Sequence, residues 1–463
     1  MKNKKLLYGI VAVCVLAVVV DGLLIYWAGK SDKEEAGMEA KEAIASVEKG
    51  VEPIARNFVD LLSKEEFDEA YKLFNEVMAK AMSPEKLEET WNSLIGQVGQ
   101  FKGIVKTRAA EEMGWKVIYV TCNFAKSSLD IKVVFDEEAM LSGLWFVPTE
   151  SEVTYSFPEY GKPESFRETE CVVGSGEWEL PGSLAVPKGE GTFPAVVLVH
   201  GSGPNDRDET IGPNKPFKDL AWGLATKGIA VLRYEKRTKQ YSSKIVSVLK
   251  DFTIEEETIN DALAAVNLLR ETEGIDPDRI FILGHSFGGM LAPRIAAGNE
   301  EIAGLILLAA NTRNLLDMIL SQTEYIFSLD GKIDEAEAEQ LKEIEEEVKK
   351  VKELNISEDE IVLGAARTYW ADLMAYNHVE TASELNIPML ILQGERDYQV
   401  TMEDFQGWKD GLEGCEKVDF KVYPQLNHLF ISGSGKSNPA EYNKPGNVAQ
   451  IVIEDIAEWI KSQ

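Results

Sequence analysis

From about residue 165 to residue 463 the chain alternates short, densely apolar runs with longer amphipathic stretches, and few folds accept that pattern. The runs are Ala195 to Val199, Ile229 to Tyr234, Ile280 to Leu283, Leu305 to Ala309, Met389 to Leu392 and Val418 to Tyr423. Most have no polar break, so neither face of such a strand can meet water. The intervening stretches read as helices. Pro216 to Lys227 stops at Gly228, and Thr253 to Glu273, with Ile259, Leu263, Val266 and Leu269 on one face, stops at Gly274. A last helix spans Val448 to Ile460. Strands buried on both faces and separated by helices form a mostly parallel, doubly wound α/β sheet. A hairpin, Thr169 to Val173 with Trp178 to Val186, leads into it.

In such a sheet chemistry collects at the carboxyl ends of the strands. Ile280 to Leu283 runs into Gly284-His285-Ser286-Phe287-Gly288-Gly289 and then into a helical stretch, Met290 to Ala297. A serine between glycines on a sharp strand-to-helix turn is presented at the sheet edge as a nucleophile. Pro293 inside that helix predicts a kink.

A serine hydroxyl needs a base, and the chain has only four histidines: His200, His285, His378 and His428. His428 follows the last apolar run and precedes the last helix. His200 sits inside a glycine loop, His285 is the variable position of the serine turn, and His378 has no strand before it. His428 is therefore the expected base. Its imidazole needs a carboxylate on the other nitrogen. Met389 to Leu392 leads into Gln393-Gly394-Glu395-Arg396-Asp397, which makes Asp397 the expected acid, with Glu395 and Asp404 as alternatives. Ala195 to Val199 ends in His200-Gly201-Ser202-Gly203-Pro204, a loop that can aim N–H groups at a developing oxyanion. The expected oxyanion donors are the amides of Ser202, Gly203 and Phe287. No Gly-Lys-Ser/Thr follows this loop, which excludes a P-loop.

The segment from His200 through Arg207, Gly223 and Gly228 to Arg233-Tyr234, the Gly-His-Ser-Phe-Gly-Gly turn, Gly394 to Asp397 and Asn427-His428 resemble α/β-hydrolase carboxylesterases of the EstD type over roughly residues 165 to 463. The resemblance implies hydrolysis of short- to medium-chain carboxylic esters through an acyl-serine intermediate, on a small-molecule ester substrate. The order Ser286, Asp397, His428 is that of α/β-hydrolases. A thioesterase or a serine peptidase would use the same three groups. A non-catalytic binding protein on the same fold is a further alternative. Haloalkane dehalogenation needs an aspartate where Ser286 stands. No cofactor and no metal is implied.

Between Ala310 and Asn386 the alternation stops. Residues 330 to 360 hold 13 acidic and 5 basic side chains, and Leu341, Ile344, Val348, Val351 and Leu354 recur at helical spacing. A helical cap over about 311–386 is expected. Its Tyr325, Phe327, Tyr369, Trp370, Met374 and Tyr376 either line an acyl pocket or hold the cap together.

Residues 50–150 read as a separate α+β accessory domain, with helices around Phe58, Phe67 and Trp91 and strands Phe101 to Lys106, Trp115 to Phe124, Leu129 to Phe135 and Met140 to Phe146. Helices followed by a run of strands resemble the NTF2-like folds. Residues 1–30 carry Lys2, Lys4 and Lys5 ahead of an apolar stretch from Leu6 to Ala28, long enough to span a bilayer of about 30 Å. This segment reads as an N-terminal membrane anchor, and 31–49 as a linker. The lysines then leave the catalytic region on the extracytoplasmic side; secretion after signal cleavage is the alternative. Lys and Arg total 48 against 78 Asp and Glu, a net charge of -30 that argues against nucleic acid as a partner. Four cysteines without C-x-x-C spacing give neither a zinc site nor a fixed disulfide pairing. The sequence leaves the oligomeric state open.

Overall fold

Apolar periodicity has become packed structure in two units, divided between residues 150 and 151. The computed structural model describes residues 39–463 apart from 113–114, 126–127, 150–154 and 359. The expected anchor, Leu6 to Ala28, lies outside the described residues. Among those residues, no helix is long and apolar enough to cross a membrane.

Among the described residues of the first unit four helices, α1 (Glu39–Ser63), α2 (Phe67–Tyr71), α3 (Glu76–Ala81) and α4 (Pro84–Val98), precede four strands. The strands β1 (Phe101–Glu112), β2 (Trp115–Phe124), β3 (Ser128–Phe135) and β4 (Leu141–Pro148) form an antiparallel meander in chain order. Helix α4 starts where the sequence signals it: Pro84 needs no N–H partner, and Ser83 Oγ accepts the Lys86 N–H at 3.4 Å. Period-2 alternation puts Ile118, Val120, Ile131 and Val133 on the inner face, against Phe58 and Leu62 of α1 and Trp91 of α4. Trp91 lies 6.1–6.4 Å from the rings of Phe101, Phe124 and Phe146.

The second unit is built on an eight-stranded sheet. Its strands are β5 (Phe166–Val173), β6 (Leu180–Pro187), β7 (Phe193–Val199), β8 (Ala230–Tyr234), β9 (Ile275–His285), β10 (Gly304–Leu308), β11 (Met389–Gly394) and β12 (Val418–Tyr423). The spatial order is β12-β11-β10-β9-β7-β8-β6-β5. Pairs from β8 to β12 are parallel, and β5 and β6 are the antiparallel edge.

Helices α5 (Pro216–Thr226) and α13 (Gln450–Ser462) bury Phe217, Leu220, Val452 and Ile456 against Val196, Leu198, Phe281 and Leu283 on one face. The alternate residues Val197, Ile282, Leu305 and Leu307 are equally inaccessible, so both faces are covered. Helices α6 (Asn260–Arg270) and α7 (Phe287–Ala297) also pack on β7 and β9. The single helix expected from Thr253 to Glu273 is instead a π-helical turn, Glu255–Ile259, running into α6.

The insertion after β10 holds α8 (Leu315–Phe327), α9 (Glu335–Lys352), a short ribbon pairing Ile361–Val362 with Ala365–Ala366, α10 (Arg367–Ala375) and α11 (His378–Glu384). Helix α9 buries Ile344, Val348 and Val351, three residues of the expected stripe, and stops before Leu354, which takes a φ of 50°. Helix α12 (Met402–Gly411) follows β11. Parallel pairing across β7, β9, β10, β11 and β12 brings the carboxyl ends of those strands to one edge, where the candidate site residues lie.

Candidate active site

Ser286 occupies the turn between β9 and α7 with φ 53° and ψ −117°, a conformation that costs an L-residue about 1–3 kcal/mol and persists only where the surroundings impose it. They do so here through close approach. A Cβ on Gly284 would lie 2.3 Å from the Gly288 carbonyl oxygen, and one on Gly288 would lie 2.3 Å from the Val199 carbonyl oxygen. The glycines of the motif therefore let the elbow, helix α7 and the end of β7 touch. The Ser286 N–H donates to the Leu308 carbonyl at 2.8 Å, which anchors the turn to β10. Ser286 remains partly exposed at the helix N-terminus.

The loop after β12 carries His428, which is buried, as is Asp397 in the turn after β11. His428 Nδ1 stands 2.6 Å from Asp397 Oδ2. The other carboxylate oxygen, Oδ1, accepts the N–H groups of Gln399 and Val400 at 2.8 and 3.1 Å, so the acid is held on both sides. The alternatives fall away on position. Glu395 is exposed. Asp404 is fully buried but committed to Arg313, to the Thr312 and Arg313 amides and to capping α12 with Thr401.

His428 and Ser286 approach through His285: its ring centroid is 4.6 Å from that of His428, and its Nε2–H donates to the His428 carbonyl at 2.9 Å. Ser286 makes no hydrogen bond to the His428 ring in this structure; the imidazole's side-chain bond is the one to Asp397.

The other two histidines are buried against aromatic rings. His200 is packed against the rings of Phe217 and Tyr234, at 4.9 and 5.5 Å, and burial pushes its pKa down to about 4. His378 packs against Trp408 at 5.5 Å, and burial pushes it down to about 4 as well.

The glycine loop after β7 packs on the elbow, with the Cβ direction of Gly201 pointing at the Ser286 Cβ, 3.4 Å from where a Cβ would be. The Asn205 side-chain amide bonds the carbonyls of Gly201, Ser202 and Gly203 at 3.0–3.3 Å, turning them to one side of the loop. Among the described residues the N–H groups of Ser202 and Gly203 have no acceptor. Phe287 is the first residue of α7, where helix geometry leaves the N–H without a partner in its own helix.

Two residues at this edge escaped the sequence reading. Glu209 Oε1 accepts the Gly201 N–H at 2.7 Å, and Lys236 Nζ donates to the Gly201 carbonyl at 2.8 Å. Both are buried. Glu209 ends the charged run Asp206-Arg207-Asp208-Glu209 just after the glycine loop, and Lys236 lies two residues past β8; those positions were the available signal.

Four aromatic residues of the insertion make hydrogen bonds within the fold. Trp370 Nε1–H donates to the Val362 carbonyl, Tyr325 Oη to the Ser437 carbonyl and Tyr369 Oη to Glu257. The Tyr376 hydroxyl accepts the Arg294 N–H at 3.1 Å and donates to the Met290 carbonyl at 3.0 Å. It thus stands between the two ends of what would be an i→i−4 bond of α7, beside Pro293. Pro293 itself removes one N–H from the ladder of this helix.

A sheet of this order, with a glycine-flanked serine after one central strand and an Asp–His pair after two others, is the α/β-hydrolase architecture. A family model described as serine aminopeptidase, S33 matches residues 194–433, and one described as a protein of unknown function, DUF3887, matches 55–144. Esterase EstD of Thermotoga maritima is 41% identical over 403 residues, which is 87% of this chain and 93% of that protein. The chain belongs to the EstD-type carboxylic ester hydrolases of the α/β-hydrolase superfamily. Among solved structures, an esterase from Pyrococcus furiosus aligns with TM-score 0.42 and 16% identity, over 67% of this chain and 97% of that one. Est1E from Butyrivibrio proteoclasticus aligns with TM-score 0.41 and 16% identity, over 63% and 98%. The family assignment rests on the sequence matches.

Proposed function

We propose that the chain hydrolyses short- to medium-chain carboxylic esters through an acyl-serine intermediate, with Ser286 as nucleophile, His428 as base and Asp397 as the orienting acid. The observation that carries this reading is the 2.6 Å contact between His428 Nδ1 and Asp397, in a loop bonded to the residue next to Ser286. Asp397 keeps the proton on Nδ1, which leaves Nε2 free to take the Ser286 proton as Oγ attacks the ester carbonyl. The tetrahedral oxyanion is met by the N–H groups of Ser202, Gly203 and Phe287. The imidazolium then protonates the leaving alcohol. A water, deprotonated by the same nitrogen, releases the acid and regenerates the serine.

The matching family model is named for an aminopeptidase, so the test must separate bond types. A graded panel of p-nitrophenyl esters, an acyl thioester and an aminoacyl-p-nitroanilide should show highest kcat/KM on the esters; a preference for the anilide would replace this reading with a peptidase. Labelling of Ser286 by a fluorophosphonate, lost in Ser286→Ala together with at least about 10⁴ in kcat, checks the nucleophile. Full activity in that variant would reject it.

The apolar stretch from Leu6 to Ala28 further supports an enzyme anchored to a membrane, with its catalytic unit outside the cytoplasm. Sedimentation of the full chain with membranes, and its digestion by protease added to intact cells, test that placement; recovery in the soluble cell fraction would end it.

A further inference from the structure

His285, the neighbour of Ser286, is buried with both ring nitrogens facing acceptors. Nδ1 lies 2.9 Å from Glu209 Oε2, and Nε2 lies 2.9 Å from the His428 carbonyl oxygen. The first contact is an ion pair at close range rather than an aligned hydrogen bond, since neither atom has a well-directed partner. A carboxylate and a peptide carbonyl only accept, whereas a neutral imidazole carries one N–H. A neutral ring would therefore set a lone pair against an oxygen at one end, in a place water does not reach.

We propose that His285 is a standing imidazolium held by Glu209, and that this pair positions the reaction machinery by fixing a positive charge against His428 while tying together the three loops that form the site. The proposal rests on the triad reading above and deepens it.

The ties can be followed atom by atom. Glu209 holds the His285 ring with Oε2 and the Gly201 N–H with Oε1, joining the elbow to the oxyanion loop. His285 holds the His428 backbone, joining both to the histidine loop. Lys236, ion-paired with Glu257 at 2.7 Å, holds the other end of the Gly201 residue through its carbonyl. Glu209 adopts a φ of 51°, a left-handed conformation that glutamate takes only where contacts enforce it. Burial alone would push the His285 pKa down, but the charge of Glu209, the His428 carbonyl and Asp397 leave it raised. For Glu209 burial acts upward, and His285, His200 and the Gly201 N–H outweigh it and leave its pKa lowered.

With ring centroids 4.6 Å apart, a cation at His285 repels the positive charge that builds on the His428 ring during the reaction. Asp397 pulls the other way from Nδ1. Glu209 also acts on His200, beside which Lys236 and Asp206 stand, and Lys236 is paired with Glu257.

Glu209→Gln isolates the charge: the amide oxygen can still accept from Gly201, the amide N–H can donate to Nδ1, and His285 becomes neutral without losing its bond to His428. The acid limb of kcat/KM on a p-nitrophenyl ester should then move up by about 1 pH unit, the lower end of what a like charge at this range produces. His285→Gln should move it in the same direction. A limb that stays in place while the plateau falls would assign the pair to packing alone and overturn the proposal. Nitrogen-15 spectra of histidine-labelled full-length protein give a reading that needs no variant. At neutral pH His285 should carry protons on both nitrogens, with His200 and His378 as singly protonated references; a singly protonated His285 overturns the proposal. Fluorophosphonate labelling separates the two failures: an unlabelled Ser286 rejects the serine mechanism, whereas a labelled one with an unmoved limb rejects only the role of His285.

Discussion

Asp397 Oδ2 meets His428 Nδ1 at 2.6 Å although 31 positions of chain separate them. The contact is made by β11 and β12, parallel neighbours whose carboxyl ends deliver one residue each to the same edge. Both residues are nearly inaccessible, 2% and 4%, so the carboxylate acts on the imidazole without intervening solvent.

Asp397→Asn should lower kcat by about 10⁴ on a p-nitrophenyl ester, because an amide N–H facing Nδ1 favours the tautomer with its proton on Nε2. The fold should persist, since the amide oxygen can still accept the Gln399 and Val400 N–H groups. Turnover within tenfold of the wild type, in protein with an unchanged melting curve, would remove Asp397 from the mechanism.

Gly288→Ala tests the close packing of the elbow. The added methyl would lie 2.3 Å from the Val199 carbonyl oxygen and 2.5 Å from that of His200, both backbone atoms that cannot swing aside. A loss of at least about 2 kcal/mol in urea unfolding is expected, at the upper end of overpacking costs, together with a loss of esterase activity. A variant as stable as the wild type would mean that β7 and α7 separate more readily than their contacts imply.

Much of this edge was legible in the sequence, because its devices are local. The strand–glycine–serine–glycine–helix run defines an elbow without any knowledge of the rest of the chain. The unbroken apolar runs gave the central strands, and Val418 to Tyr423, which alternates, became the edge strand β12, where one side can meet water. What stayed hidden depends on distant partners. Nothing adjacent to Glu209 announces that its carboxylate lies under Gly201 and His285. Whether Tyr376 lines a pocket or holds the cap together stayed open, because composition cannot tell a ring that meets substrate from one whose hydroxyl bonds a helix backbone. The π-helical turn at Glu255–Ile259 is a similar case: the apolar spacing around it suits a plain helix.

Tyr376→Phe removes one hydroxyl that serves two backbone groups of α7. With it gone, the Arg294 N–H loses an acceptor and the Met290 carbonyl loses a donor. A loss of about 1–2 kcal/mol in urea unfolding is expected. The acyl-chain preference should not change, since the ring's role is structural; a shift in preference across the p-nitrophenyl panel would instead put Tyr376 in the acyl pocket.

His378 gives a pH-dependent prediction whose sign can be worked out. Burial pushes its pKa down to about 4 from an ordinary 6.5. Between those values the unfolded chain binds a proton that the folded chain refuses, so stability rises with pH through this window and is lost as pH falls from 6.5 towards 4. The penalty is about 2 kcal/mol at pH 5. Asp219 and Asp261, pushed by burial up to about 6, work in the opposite direction over the same range, because folding then favours their protonated forms. The wild-type curve of stability against pH mixes these effects, and a difference between proteins separates them. In His378→Gln the two aspartates are unchanged while the histidine contribution is gone. The variant should lose stability at pH 7, where it replaces a packed neutral ring, and recover about 2 kcal/mol relative to wild type at pH 5. Urea midpoints at the two pH values measure this directly. An equal deficit at both would mean that His378 takes up its proton in the folded protein as readily as in the unfolded chain.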